Sequence, residues 1–251
     1  ATRAGKGNRV RAEAVIAADG IPSTLRSFAS PADATHEPRF SGLCAFRCLV
    51  PASAAPSMAL RPVQTLWLGP GHHFVHYPVS GGRLVNVVAM APAGEWRTES
   101  WIAEGSVADL MREFEGWDGR VTQLIAAATD TKRWALYDRE PLGRWVNGRL
   151  ALLGDAAHAM QPFFGQGAAQ AVEDAEALGT CLAGVDSESV PEALKRYEEI
   201  RLPRASKVQL MSRGREVQNH LPDGVEQERR DAGFGQGDPL RQSSWLYGHD
   251  G

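Results

Sequence analysis

The run Arg149-Leu-Ala-Leu-Leu-Gly154-Asp155-Ala-Ala-His158-Ala-Met-Gln-Pro162-Phe-Phe-Gly165-Gln166-Gly167-Ala168-Ala constrains this fold more than any other part of the chain. Leu150, Leu152 and Leu153 supply the short apolar run of a covered strand. Gly154 permits a tight turn, which leaves Asp155 at the strand's carboxyl end, where open α/β sheets place their ligands. A helix of small residues follows. No Ser, Thr, Asp or Asn stands just before it, no acidic residue occupies its first turn, and Gly165 and Gly167 sit there instead. Its first N–H groups are therefore short of side-chain partners and unshielded, and such a helix start favours an anion or a carbonyl. For the Gly-Asp pair alone, an ordinary strand-loop-helix with an Ala-rich packing face is the simpler reading.

The 251 residues suffice for one or two domains, and 43% hydrophobic with 23% charged residues is ordinary for a globular protein. The net charge is −3 and no Lys/Arg stripe forms, which speaks against nucleic acid as a partner. No apolar run approaches the ~20 residues of a membrane helix, and no signal peptide is visible. Three cysteines, Cys44, Cys48 and Cys181, make no disulfide framework and suit a reducing cytoplasm. Cys44 and Cys48 share a strand face with Phe46 and read as small buried hydrophobes, not metal ligands. Oligomeric state is not legible; a homodimer is compatible with the sequence.

Residues 10–18 read as a strand ending in Asp19-Gly20, followed by a short helix over 21–26 with Pro22 in its first turn. Strand-like runs then succeed one another at 40–50, 63–68, 73–79 and 83–91, with a hairpin at Ser80-Gly-Gly, which predicts an antiparallel sheet. Helices are expected at 106–115 and 120–128, a returning strand at 134–139, a helix over 167–182 and one or two helices over 190–219, with Pro203 kinking or breaking that stretch. From residue 221 onward the chain reads as polar and irregular. The expected division is 1–30, 31–140, 141–220 and a tail at 221–251.

Asp19-Gly20-Ile-Pro-Ser23-Thr-Leu-Arg26 and the Gly154-Asp155 run together resemble two motifs of the FAD-dependent aromatic hydroxylases, the group A flavoprotein monooxygenases of the salicylate hydroxylase type. The two matches lie more than a hundred residues apart and in the family's order. The resemblance implies an α/β (α+β) fold: a Rossmann-like FAD-binding domain beside an antiparallel substrate domain. It implies FAD as cofactor, NADH or NADPH as electron donor, and O2 with a small aromatic ring as substrates. Asp19, Gly20 and Arg26 would lie near the flavin pyrophosphate, and Gly154 and Asp155 near the ribityl chain. Pro162, Gly165, Gln166, Gly167 and Ala168 would lie near the flavin ring, with Phe163 walling the pocket. His158 is given a loop-structuring role.

The resemblance also points to His73-Phe-Val-His76-Tyr77, because a His and a Tyr four apart line the pocket in family members acting on hydroxylated acids. Alternation puts His73 and Tyr77 on one face and turns His76 away. His73 is the candidate base for a ring hydroxyl and Tyr77 its orienting partner, although such a pair also serves simply to pack. Arg47 sits mid-strand among apolar residues and needs a partner, either a substrate carboxylate or an internal salt bridge. The family's first motif, Gly-x-Gly-x-x-Gly on a βαβ unit, has no counterpart here, and Ala1–Arg9 reads as a hairpin turn. The expectation is a C-terminal portion of a longer enzyme that binds FAD weakly by itself. Two alternatives stand beside oxygenation: a prenyl-type reductase of the same fold, or an inactive fragment.

Overall fold

The computed structural model describes residues 11–33, 37–100, 102–236, 238, 241 and 243–249, so the turn expected over residues 1–9 lies outside it. In chain order the elements are β1 (Val15–Ala17), α1 (Arg26–Ala29), β2 (Arg39–Pro51), β3 (Thr65–Gly69), β4 (His72–Val79), β5 (Leu84–Pro92), β6 (Glu104–Gly105), α2 (Val107–Glu113) and α3 (Gly119–Ala126). They continue as β7 (Thr131–Asp138), β8 (Val146–Asn147), β9 (Leu150–Leu152), α4 (Asp155–His158), α5 (Gly167–Leu182), α6 (Val190–Asn219), α7 (Val225–Gly233) and α8 (Ser244–Tyr247). The chain divides into two compact units. One holds the residues up to Glu37 with Arg139–Ser212; the other holds Pro38–Asp138 with Arg213–Asp250.

In the first unit β1 and β9 pair in parallel, from Val15 against Leu150 to Ala17 against Leu152, and β8 adds antiparallel to β9. β1 is three residues long, not the nine expected, because a strand lasts only as long as its partner and β9 begins only at Leu150, just after the turn from β8. Trp145, Leu152, Leu178, Leu194 and Tyr197 form the centre of the core here. The Tyr197 hydroxyl donates to the Leu152 carbonyl at 3.0 Å. Residues 21–26 do not form the expected helix. One Asp19 oxygen accepts the Thr24 N–H at 2.9 Å, and the helix starts only at Arg26.

In the second unit six strands form a sheet in the order β3-β4-β5-β2-β7-β6, antiparallel at every pairing. The β4–β5 hairpin turns at Ser80-Gly81-Gly82, all three with positive φ. The returning strand, β7, pairs with β2 and so belongs to this sheet. Along β2, Cys44, Phe46, Cys48 and Val50 alternate onto one face and pack with Phe74, Val85, Val87 and Ala89 against Leu110, Phe114, Val121 and Leu124 of α2, α3 and the turn between them. His76 lies on that helix-covered side, 6.3 Å from the Phe74 ring, as alternation requires. His73, Tyr77, Arg47 and Asn86 belong to the other face.

In the second half the stretch 190–219 is one helix, the first of the two readings, while the tail departs from expectation. α6 runs unbroken from Val190 to Asn219 with Pro203 inside it. Proline removes one backbone N–H donor, while side chains on both sides of Pro203 are tied down: Arg201 to Asp174, and Gln209 to the carbonyls of Arg139 and Ala159. The polar stretch after residue 221 carries α7 and α8 instead of being irregular, and it groups with the sheet unit, as does α6 beyond Ser212. Among the described residues no helix is long and apolar enough to cross a membrane.

Candidate functional site

Parallel pairing of β1 with β9 brings the two Asp motifs together, since each begins where its strand ends. Gly154 turns with φ 63°, and an added Cβ there would press on the Ala171 Cβ at 3.3 Å. The turn is held from α5: the Asp174 carboxylate accepts the Gly154 N–H at 3.0 Å and His158 Nε2 at 2.6 Å. Its other oxygen accepts Arg201 Nε at 2.9 Å. Arg201 continues to Gln170 and Glu173, and Arg204 closes the network on Glu173. Burial works against ionisation of Asp174, but His158, Gly154 and Arg201 outweigh it and hold its pKa below the usual carboxylate range. His158 thus has the structural role expected of it, whereas Asp174 and Arg201 escaped sequence reading. The clue was an Asp and an Arg on helix faces that otherwise pack against apolar residues.

Arg26, expected near the flavin pyrophosphate, is engaged with main chain. Its guanidinium is 5% exposed and donates to the carbonyls of Ala156 at 2.8 Å, Ile21 at 2.9 Å and Asp155 at 3.2 Å. Burial, reinforced by Arg139, lowers its pKa to about 10. With these donors turned to main chain, Arg26 clips the Asp19-Gly20 loop to the Gly154-Asp155 loop.

What remains open lies at the start of α5. Its cap residue, Gln166, makes no side-chain cap bond, and no acidic residue stands in the first turn. Among the described residues no acceptor is recorded for the N–H groups of Gly167, Ala168 and Ala169. A Cβ on Gly165 would meet nothing within 4 Å, and one on Gly167 only Asp155 Oδ1 at 4.0 Å. The Asp155 carboxylate itself is exposed and has no hydrogen bond recorded among the described residues. Pro162 and Phe163 form the 3-10 turn leading in. Gln161, only 1% exposed, has no protein partner for either end of its amide and also went unremarked in the sequence. Bare amides, a glycine approach and an exposed carboxylate thus lie together at one strand end, a set suited to a ligand with both anionic and hydroxyl groups.

In the sheet unit His73 is 3% exposed, and its Nδ1 lies 2.7 Å from Nε2 of His220, the residue after α6. Burial, with the neighbouring His220 and His72 rings, lowers the His73 pKa to about 3, and burial with His72 lowers His220 to about 4. Both rings are neutral at pH 7. Tyr77 stands opposite Asn86 in the sheet and lines a cleft of about 560 Å³ with Leu60, Val63 and Gln64; His73 is not among that cleft's walls. His73 and Tyr77 are roughly 13 Å apart along the strand at its usual rise. Arg47 makes no internal salt bridge among the described residues; its Nε donates to Asn86 Oδ1 at 3.1 Å.

The comparisons with known proteins give the family and the fold. Residues 1–212 match the model of a family described as FAD binding domain. The chain is 41% identical to the 3-amino-4-hydroxybenzoate 2-monooxygenase PtmB3 of Streptomyces platensis over 97% of its own length and 60% of the relative's. A salicylate hydroxylase in a substrate complex superposes with a TM-score of 0.81 at 32% identity, over 95% of this chain and 62% of that one. Klebsiella pneumoniae HpxO complexed with FAD and uric acid gives 0.76 at 33% identity, over 90% and 57%. This chain therefore spans about 60% of the length of the relatives it matches. It has the mixed helix-and-sheet fold of these hydroxylases, and it belongs to the FAD binding domain family.

Proposed function

We propose that the protein carrying this chain is an FAD-dependent monooxygenase that uses NAD(P)H and O2 to hydroxylate a small phenolic or carboxylated aromatic ring. The observation that carries the reading is the open start of α5 beside the unpaired Asp155 carboxylate. FAD, once reduced by the nicotinamide, supplies the electrons and the oxygen transfer. Asp155 holds the ribityl hydroxyls. The N–H groups of Gly167 and Ala168, with Gln166 beside them, would donate to the flavin's pyrimidine edge and favour negative charge there. Asp19 and Gly20 flank the pyrophosphate path, and Gly154 and Gly165 keep the approach clear. Pro162 and Phe163 exclude water beside the ring.

On the sheet, Arg47 offers the guanidinium donors not engaged by Asn86 to a ring carboxylate, and Tyr77 orients the ring. His73 accepts a hydrogen bond from a ring hydroxyl. Burial holds the His73 pKa at about 3, far below that of a phenol at about 10. His73 by itself therefore polarises the hydroxyl more than it deprotonates it. The relative acting on an aminohydroxybenzoate and the salicylate hydroxylase complex support a phenolic acid as substrate. Three buried, unbridged cysteines support a reducing cytoplasm.

The test is oxygen incorporation. With FAD and NAD(P)H, a hydroxybenzoate should stimulate O2 uptake and gain one oxygen atom from labelled O2. His73→Ala should slow hydroxylation about 10²-fold while NAD(P)H oxidation falls much less and hydrogen peroxide accumulates. NAD(P)H oxidation without O2 uptake would replace the reading with that of a reductase, and equal loss of both rates in His73→Ala would remove His73 from the ring chemistry.

A further inference from the structure

The His73–His220 pair joins residues 147 apart in sequence. Its two halves are fixed independently of each other. His73 is a middle residue of the sheet, placed opposite Met90 on β5 and Leu68 on β3. His220 follows the last residue of α6, and its carbonyl accepts the Gly71 N–H at 3.2 Å from the turn that leads into β4. Between these anchors the rings meet with planes 26° apart and centroids 4.8 Å apart, close enough to coplanar for Nδ1 and Nε2 to share one hydrogen at 2.7 Å. His72, next along β4, is turned to other partners, Glu113 at 3.2 Å and the Pro70 carbonyl at 2.9 Å.

The shared hydrogen has two placements with different chemistry. If His220 Nε2 carries it, His73 Nδ1 is the acceptor and His73 Nε2 must hold the proton of its neutral ring; that nitrogen then only donates. If His73 Nδ1 carries it, His73 Nε2 presents a lone pair, and only this tautomer can accept a hydrogen bond from a ring hydroxyl. We propose that His220 is the positioning residue for His73: as acceptor at Nε2 it fixes His73 in the Nδ1–H tautomer and takes a share of the proton received from the ring hydroxyl. This rests on the oxygenase reading, which supplies the ring hydroxyl that only the Nδ1–H tautomer can receive. In the step, the substrate O–H bond breaks and an N–H bond forms at His73 Nε2. The His73 Nδ1 proton shifts toward His220 Nε2, and one positive charge spread over two imidazoles faces the new phenolate. Nothing is oxidised. Spreading the charge over two rings offsets the burial that makes either ring alone a poor proton acceptor.

The tautomer is read by long-range nitrogen–proton correlation NMR on protein labelled with 15N-histidine, with no flavin or substrate required. His73 is expected to carry its proton on Nδ1, and His220→Phe, which keeps a ring in place, should shift it toward the Nε2–H form. His73 found as Nε2–H in the unaltered protein, or a tautomer unmoved in a folded His220→Phe, would overturn the assignment. Should that variant not fold, His220→Gln supplies a second case: its amide oxygen still accepts from Nδ1–H, so the tautomer should persist, and a switch to Nε2–H would count against the proposal. In the FAD-loaded protein His220→Gln should then lower kcat for hydroxylation about tenfold with KM nearly unchanged, because it orients His73 without sharing the charge. An unchanged kcat would refute the sharing. A protein that hydroxylates no aromatic substrate would refute the oxygenase reading and leave the tautomer result standing.

Discussion

Replacing Asp174 by asparagine changes one buried atom and should cost the first unit about 3 kcal/mol. The carboxylate is fully buried and receives three donors: Gly154 N–H at 3.0 Å, His158 Nε2 at 2.6 Å and Arg201 Nε at 2.9 Å. An amide has one accepting end. Whichever way the introduced amide turns, its NH2 meets either Arg201 or the Gly154 and His158 pair, donor against donor. Hydrogen bonds to charged groups contribute about 1.5–3 kcal/mol each, and breaking one partner of a buried pair costs about 3–5 kcal/mol. The lower end applies because Arg201 keeps Glu173 at 2.5 Å and Gln170 at 2.8 Å. Urea unfolding followed by far-UV circular dichroism should show the midpoint of this unit falling by about 1 M or more at an m-value of ~2 kcal/mol/M. The pH dependence fixes the cause. Asp174 has a folded pKa below its unfolded value, so its contribution is complete above the unfolded value of about 3.9 and fades as pH falls through the folded one. The gap between the two proteins should be flat from about pH 7 to 5 and narrow below about 4. A midpoint within about 0.2 M of the parent, or a gap that widens in acid, would refute this account of the Gly154 turn.

Gly167→Ala separates folding from flavin binding. A Cβ there has room and ordinary helical backbone, so the melting temperature should hold or rise slightly, while FAD affinity should fall about tenfold because the methyl stands over the open amides. Unchanged affinity in this variant would remove α5 from the flavin site. Gly69→Ala should destabilise the sheet unit by about 1–3 kcal/mol. Its Cβ would sit 2.7 Å from the Trp117 ring, which is packed against Phe114 at 4.8 Å and has little freedom to move. A thermal melt indistinguishable from the parent's would show that Trp117 yields.

Local rules made most of the scaffold legible. Alternation along β2 placed Cys44, Phe46 and Cys48 on the covered face, and the same rule separated His73 and Tyr77 from His76 before any contact was visible. The bare start of α5 was readable because capping is a matter of neighbouring residues. Sequence reading failed wherever the deciding partner is distant. β1 is short because β9 is short, and the tie from Arg26 to the Ala156 carbonyl spans 130 residues. α7 showed no apolar face from which periodicity could announce a helix.

The same distinction explains how chemistry is divided along the chain. Groups offered to a ligand, such as Asp155 and the amides after Gln166, lie within about a dozen residues of one another and were legible together. Groups that hold them in place come from far off: Asp174 and Arg201 for the Gly154 turn, His220 for His73. A local motif can specify what a site presents, but the protonation and angle at which it presents it depend on residues that only the fold brings near. Histidine makes this sharpest, because His73 is base or donor according to one hydrogen whose position is set 147 residues downstream.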